Sequence, residues 1–313
     1  MDSETLEQKR KAERQIFIAE QDFFDAGQPT GFFKGSSRSL VDIWKHRELL
    51  SRLVKREIKA RYKDSSLGIL WSLFRPLVQL LIYYFAIGQI LGAARSVPDF
   101  AVFVFIGLTM WTLYSEIISG STTSILGNAG LVKKVYLPRE IFPLSSVGSA
   151  LVNFGIQSIV LLGGIAVLST FLWSYDLLLA PAAVITILVF GTAVGLLLSA
   201  LNVYLRDVQH FVEIYLIVFF WVSPIVYPFT FIQNQLNGNW MEQIYLMNPV
   251  TLSIIAAQKA LWTGGSTGVG DMAQAWPDNL ELRLLVAFLC SVVLLWISQR
   301  VFSRLQGNFA QEL

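Results

Sequence analysis

The sequence contains little charge and almost no cysteine. Charged residues make up 15% of the chain and hydrophobic residues 54%, whereas soluble domains average about 25% charged residues. The single cysteine, Cys290, lies within an apolar stretch, so it can form neither an intrachain disulfide nor a cysteine-based metal site. This composition predicts an integral membrane protein.

The sequence also lacks the motifs of catalysis. It has no GxxxxGK[ST] loop to bind ATP phosphates. Its two histidines, His46 and His210, lie far apart without ligand-spaced neighbours, and its acidic residues form no paired clusters. We therefore expect no catalytic residue, no metal site and no cofactor in this chain. The net charge of +2 gives no reason to expect nucleic-acid binding.

Six hydrophobic segments predict an all-α membrane protein with six transmembrane helices. A helix needs about 20 apolar residues to cross the hydrocarbon core. Residues 1–65 are polar and lack the apolar core of a signal peptide, so the first span must orient the chain. The predicted spans lie at about residues 74–94, 100–119, 146–170, 177–202, 211–228 and 284–302.

The distribution of Lys and Arg predicts the orientation. Six spans place both termini on one side, and 21 of the 24 Lys and Arg residues lie on that side. The other side has only Arg95, Lys259 and Arg283. By the positive-inside rule, both termini and the loop at residues 120–143 are expected in the cytoplasm.

Three regions differ from plain spans. Residues 39–66 alternate apolar and basic positions at helical spacing, which predicts an amphipathic interface helix; simple anchoring to anionic lipid is the alternative. Residues 229–281 contain apolar stretches too short to span, so we expect re-entrant or interfacial outer helices. Residues 1–38 are expected to form a cytoplasmic tail. Gly191 and Gly195 predict a close helix contact.

Polar and aromatic residues within the spans are candidates for the lining of a channel. Glu116 is an acid within a predicted span, and it marks either a functional site or an Arg-paired helix end. The aromatic residues form either an interfacial belt or a channel wall on which sugar rings stack. The channel candidates are Trp71, Phe74, Tyr83, Tyr84, Trp111, Tyr114, Trp221 and Tyr227.

Several segments are similar to those of a known family. Residues 127–140 read GNAGLVKKVYLPRE, and residues 67–76 read LGILWSLFRP. Further on, RDV at 206–208 precedes SPIVYP at 223–228 and the Asn248-Pro249 pair. In this order they resemble the membrane subunit of ABC-2-type polysaccharide exporters, the O-antigen Wzm and teichoic-acid TagG/TarG family.

The resemblance implies a transport subunit of the ABC-2 transmembrane fold, over residues 67–313. Two copies would form a homodimeric pore in a bacterial cell membrane, with two separate ATPase subunits that bind ATP and Mg²⁺. The cargo would be a glycan on polyprenyl diphosphate, of O-antigen, galactan or teichoic acid type. The residues implied in ATPase coupling are Arg56, Glu57, Lys59, Arg61, Tyr62, Lys133, Lys134, Pro138, Arg139 and Glu140. Those implied in an outer gate are Trp240, Tyr245, Asn248, Pro249 and Trp262.

Two other functions stay open at this point. An ABC-2 permease for a drug or a lipid would share the topology without needing the KK…PRE segment. A membrane transferase acting on polyprenyl lipids would need clustered acids or a metal motif at the interface.

Overall fold

The protein is helical throughout the part that the structure describes, which confirms the predicted all-α class. This computed structural model describes residues 41–61, 63, 65, 68–90, 92–134, 137–168, 174–236, 239–262 and 276–313. The predicted tail at 1–38 lies outside these residues. The α-helices of this part include α1 (Arg47–Arg61), α2 (Trp71–Tyr83, continued by a wider turn over Tyr84–Ile90), α3 (Ala93–Ser96), α4 (Phe100–Gly127), α5 (Ala129–Lys134), α6 (Ile141–Leu168), α7 (Leu179–Tyr204), α8 (Val208–Val222), α9 (Phe229–Leu236), α10 (Trp240–Met247), α11 (Pro249–Leu261), α12 (Leu280–Leu305) and α13 (Phe309–Glu312).

Five helical segments within the described residues are long and apolar enough to cross a membrane. They are Trp71–Ile90, Phe100–Gly127, Ile141–Val167, Tyr175–Tyr204 and Leu280–Glu312. The remaining predicted span coincides with α8, which has 15 residues and is about 22 Å long at 1.5 Å per residue. A hydrocarbon core is about 30 Å thick, so α8 is too short to cross it on its own.

Helix α4 is the centre of the bundle. Of its 28 residues, 19 are buried, and α6 and α7 pack along its length. Glycines on α7 make the approach close: a Cβ atom at Gly195 would lie 2.8 Å from the Cβ of Ser121. One at Gly191 would lie 3.0 Å from Cγ2 of Ile117. The glycine pair identified in the sequence therefore lies at a helix contact.

Helix α8 ends in a buried, non-helical segment at residues 223–228. The hydroxyl of Tyr227 lies 2.9 Å and 2.7 Å from the carbonyl oxygens of Trp221 and Val222 at the helix end. The amide of Gln258 donates to the carbonyl oxygen of Pro224 at 2.8 Å. Because these three carbonyl oxygens have partners within the protein, the chain can leave the helical path here in an apolar environment.

Helix α1 lies against α6 rather than standing free. Leu53 is buried, and Val54 faces Gly148, where a Cβ atom would lie 2.6 Å from Cγ2 of the valine. The Ser146 hydroxyl donates to the Glu57 carboxylate at 3.0 Å. The interface helix is therefore fastened to a membrane span along one face.

A second apolar cluster, which we call the junction cluster, joins α1 and α5 to the ends of the long helices. Its members come from seven helices and are buried. They are Leu53, Ile125, Val132, Ile141, Phe142, Leu196, Ala200, Val203, Phe302 and Phe309.

The contact of α7 with α4 leads to a stability prediction. A methyl group at position 195 has no room against Ser121, whereas nothing lies within 4 Å of the corresponding position at Gly155 of α6. We expect Gly195→Ala to lower the free energy of unfolding by about 1–3 kcal/mol. Gly155→Ala should leave it unchanged or raise it by up to about 1 kcal/mol. Thermal unfolding in detergent measures both, and an unchanged midpoint for Gly195→Ala would contradict the close contact.

Candidate functional site

A cavity of about 790 Å³ lies between α2, α4 and α8, next to the end of α1. Four of the eight predicted channel aromatics line it: Trp71, Tyr83, Trp111 and Trp221. They come from three helices that are distant in sequence. The fold therefore brings half of the predicted set to one place.

The aromatic wall also includes Phe220, which is not among the eight channel candidates. Its ring stacks on Tyr83 with centroids 5.8 Å apart and meets the edge of Trp111 at 5.8 Å. Trp221 lies edge-on to Tyr83 at 6.4 Å. The signal was present in the aromatic run at residues 219–221, but the sequence does not say which ring faces the cavity.

The other four predicted channel aromatics are placed elsewhere. Tyr114 is fully buried in the core, and its hydroxyl lies 2.9 Å from that of Tyr215. Tyr227 caps the end of α8, as described above. Phe74 and Tyr84 do not line the cavity: Phe74 lies edge-on to Trp71 at 5.5 Å, and Tyr84 packs partly against the core.

Amides and one ion pair contribute to the polar part of the lining. Gln79 and Gln157 both line the cavity, and the buried Gln157 Oε1 atom has no hydrogen-bond partner in the described part of the chain. Glu116 lies 3.3 Å from the Arg61 guanidinium, and its second oxygen accepts from the Asn153 amide at 2.8 Å. The intramembrane acid is therefore paired with the last residue of α1.

The predicted coupling residues of α1 make contacts of different kinds. Arg56 donates to the side-chain oxygen of Asn128, between α4 and α5. Glu57 accepts from Ser146, and Arg61 turns into the cavity. Lys59 is exposed. Tyr62 lies outside the described residues.

The predicted coupling residues at 133–140 fall into two groups. Lys133 and Lys134 are exposed at the end of α5, where cations also suit the negative end of the helix dipole. Pro138 and Arg139 are half-buried, and Glu140 is 2% exposed. The two lysines are therefore accessible to a partner, and the acid is not.

Arg139 contacts a residue that the sequence reasoning missed. Its guanidinium lies 5.8 Å from the centre of the Phe309 ring, and that ring is fully buried against Phe302 and Tyr204. The Tyr204 hydroxyl donates to the carbonyl oxygen of Leu305 at 2.7 Å. Phe309 therefore ties the 133–140 segment to α7 and α12.

The predicted outer-gate residues divide between a surface and the core. Trp240 is 66% exposed on α10, whereas Trp262 is 1% exposed, and its indole nitrogen donates to the Pro98 carbonyl oxygen at 2.8 Å. Asn248 caps α11 by accepting from the Val250 amide at 3.0 Å, and Pro249 occupies the first turn, where proline is favoured. Burial raises the pKa of the Tyr245 phenol, and Tyr227 beside it acts in the same direction.

An ion cluster holds the end of α11. Lys259 lies 3.2 Å from an Asp176 oxygen and 2.8 Å from a Glu281 oxygen. Burial alone would lower the pKa of the Lys259 ammonium, but hydrogen bonds to Glu281 and Asp176 outweigh it and raise the pKa. Lys259 therefore stays charged, and its two ion pairs connect α11 to the starts of α7 and α12.

Comparison with known proteins identifies the family. Residues 48–262 match the profile of the ABC-2 type transporters, which covers α1 through α11. The chain belongs to the ABC-2 type transporter family. The cavity and the 133–140 segment thus lie in an ABC-2 membrane domain.

Relatives of this ABC-2 protein include permeases of polysaccharide export. An O-antigen export system permease protein from Myxococcus xanthus is 31% identical over 88% of this chain and 99% of its own length. One from Klebsiella pneumoniae is 28% identical over 85% of this chain and 95% of its own length. A polysialic acid transport protein from Escherichia coli is 23% identical over 68% of this chain and 80% of its own length. The family resemblance found in the sequence is confirmed.

The contacts of Phe309 predict a local effect on the coupling segment. Phe309→Ala removes a buried ring, and we expect a loss of about 3–5 kcal/mol in the free energy of unfolding. Hydrogen exchange should rise in α5, because α13 packs on it. Phe211→Ala is the control, since that ring is 71% exposed and its loss should change neither quantity. Unchanged exchange in α5 would contradict the proposed link.

Proposed function

We propose that this chain is the membrane subunit of an ATP-driven exporter of polysaccharide linked to polyprenyl diphosphate. Two copies form the pore in a bacterial cell membrane, and two separate ATPase subunits bind on the cytoplasmic side, where both termini lie. The chain has no catalytic role of its own. The observation that carries the proposal is the aromatic and amide-lined cavity in a domain whose relatives are named for polysaccharide transport.

The lining suits a sugar chain better than a purely apolar cargo. The C–H faces of sugar rings are apolar and pack on aromatic faces, which carry partial negative charge. Gln79, Gln157 and the pair of Arg61 with Glu116 supply donors and acceptors for hydroxyl groups. The cavity volume of about 790 Å³ falls within the roughly 300–1,000 Å³ of sites that hold small ligands. We therefore expect a few sugar units to occupy it at a time.

A second copy would complete the channel. Trp71 and Trp221 line the cavity but are 49% and 54% exposed in the single chain. Two such faces brought together would enclose a path with aromatic residues on both sides. This exposed lining supports the homodimer.

The junction cluster supplies a mechanical route from the ATPase to the pore. Lys133 and Lys134 would contact the ATPase, and Val132 beside them packs in the junction cluster with Phe142 and Phe302. A shift of α5 in one nucleotide state would therefore be passed to α6 and α12. Contacts that differ between two nucleotide states would bias the pore between closed and open forms.

Transport in membrane vesicles tests the cargo. Inverted vesicles containing the chain and its ATPase receive ATP with either a polyprenyl-diphosphate-linked oligosaccharide or an apolar drug. We expect ATP-dependent uptake of the glycan alone. Trp111→Ala with Trp221→Ala should reduce the uptake rate roughly tenfold through lost ring contacts, whereas the outer-surface control Trp240→Ala should not. Uptake of the drug without the glycan would favour the other ABC-2 function.

Charge reversal at α5 tests the docking surface. Because Lys133 and Lys134 are exposed, Lys133→Glu with Lys134→Glu should leave the thermal midpoint of the permease unchanged. Repulsion should weaken ATPase association by about ten- to a hundredfold if each reversal costs on the order of 1 kcal/mol. Arg95→Glu, on the side predicted to face outward, is the control. Equal ATPase recovery by affinity purification for both variants would rule out docking at α5.

A further inference from the structure

The cavity contains three charged side chains, and two of them neutralise each other. Arg61, Arg75 and Glu116 line it. The Arg61–Glu116 separation is 3.3 Å, and the second Glu116 oxygen is occupied by the Asn153 amide. Both carboxylate oxygens are therefore in use, and the positive charge of Arg75 is left over.

Arg75 faces the cavity as part of a regular stripe on α2. Trp71, Arg75, Gln79 and Tyr83 follow one another at intervals of four residues, and all four line the cavity. Residues at this spacing lie on one face of a helix. The guanidinium is thus flanked along the helix by an indole ring on one side and an amide on the other.

No ion pair or hydrogen bond joins Arg75 to another residue in the described ranges, whereas Arg61 has Glu116. Arg75 is exposed in the second turn of α2, at the predicted cytoplasmic end of the span, where a guanidinium can meet an anion that enters from the membrane surface. A guanidinium binds phosphate oxygens through two parallel hydrogen bonds. The free charge, the ring and the amide together match a phosphate group joined to a sugar.

We infer that Arg75 binds the diphosphate group of the lipid-linked cargo, while Trp71 and Gln79 contact the adjoining sugar. This inference rests on the proposed function and deepens it by assigning the residue that recognises the cargo's anionic group. The Arg61–Glu116 pair limits the site to one surplus positive charge. A single arginine would hold the diphosphate less tightly than a cluster of cations, which suits a cargo that must also leave the site.

Binding to the permease–ATPase complex in nanodiscs tests the inference. The probe is a radiolabelled polyprenyl diphosphate carrying one N-acetylhexosamine, and its neutral counterpart has the same sugar on an uncharged lipid. Arg75→Gln should weaken binding of the charged probe by about ten- to a hundredfold, the range expected for hydrogen bonds to a charged group. Binding of the neutral probe should stay the same. Arg75→Lys should restore part of the affinity, and the control Arg95→Gln should bind as the wild type does.

The outcomes separate this inference from the function on which it rests. Equal binding of the charged probe by Arg75→Gln and wild type would overturn the role of Arg75 and leave the export function standing. Failure of the wild type to prefer either glycolipid over plain polyprenol would overturn the function itself. Inorganic diphosphate serves as competitor. If inorganic diphosphate displaces the probe at the probe's own concentration, the site recognises free diphosphate, and the assignment to a lipid-linked diphosphate is overturned. If displacement requires a hundredfold excess of inorganic diphosphate, that assignment is supported.

Discussion

The bundle depends on how closely α7 can approach α4. Lipid tails are as apolar as leucine side chains, so membrane helices associate through close packing and polar contacts rather than through exclusion from water. Gly191 and Gly195 permit that packing, because a side chain at either position would meet Ile117 or Ser121. With α4 fixed in this way, its opposite face carries Trp111 and Glu116 into the cavity. The position of the candidate site thus follows from contacts made on the opposite side of the same helix.

The fold links two regions, the proposed ATPase-facing surface and the proposed cargo path. Helix α1 carries Arg61 into the cavity at one end, while Arg56 contacts the α4–α5 turn. Val54 pressed against Gly148 keeps the helix in register with α6. The exposed lysines of α5 lie next to Val132, which is buried in the junction cluster. Displacement of α1 would therefore change contacts both in the cavity and at the α4–α5 turn.

The sequence was sufficient for the helical class and for the family, because long apolar segments and ordered motifs need no tertiary information. It was less informative about the site. In a soluble helix, burial shows as an apolar stripe, but in a membrane helix both the core and the lipid face are apolar. Tyr114 in the core and Trp221 in the cavity wall therefore looked alike. The contact of Arg139 with Phe309 was not predicted, because it joins residues 170 positions apart.

The end of α8, fastened by Tyr227 and Gln258, has a consequence for the surrounding lipid. Long spans adjust to a bilayer by tilting, but this helix of 15 residues is tied to α11 and cannot lengthen. A short apolar segment makes the adjacent bilayer thinner at a modest cost per ångström of hydrophobic mismatch. We therefore expect a local depression of the membrane beside Phe220 and Trp221. That depression would shorten the hydrocarbon distance over which a polar headgroup has to be carried.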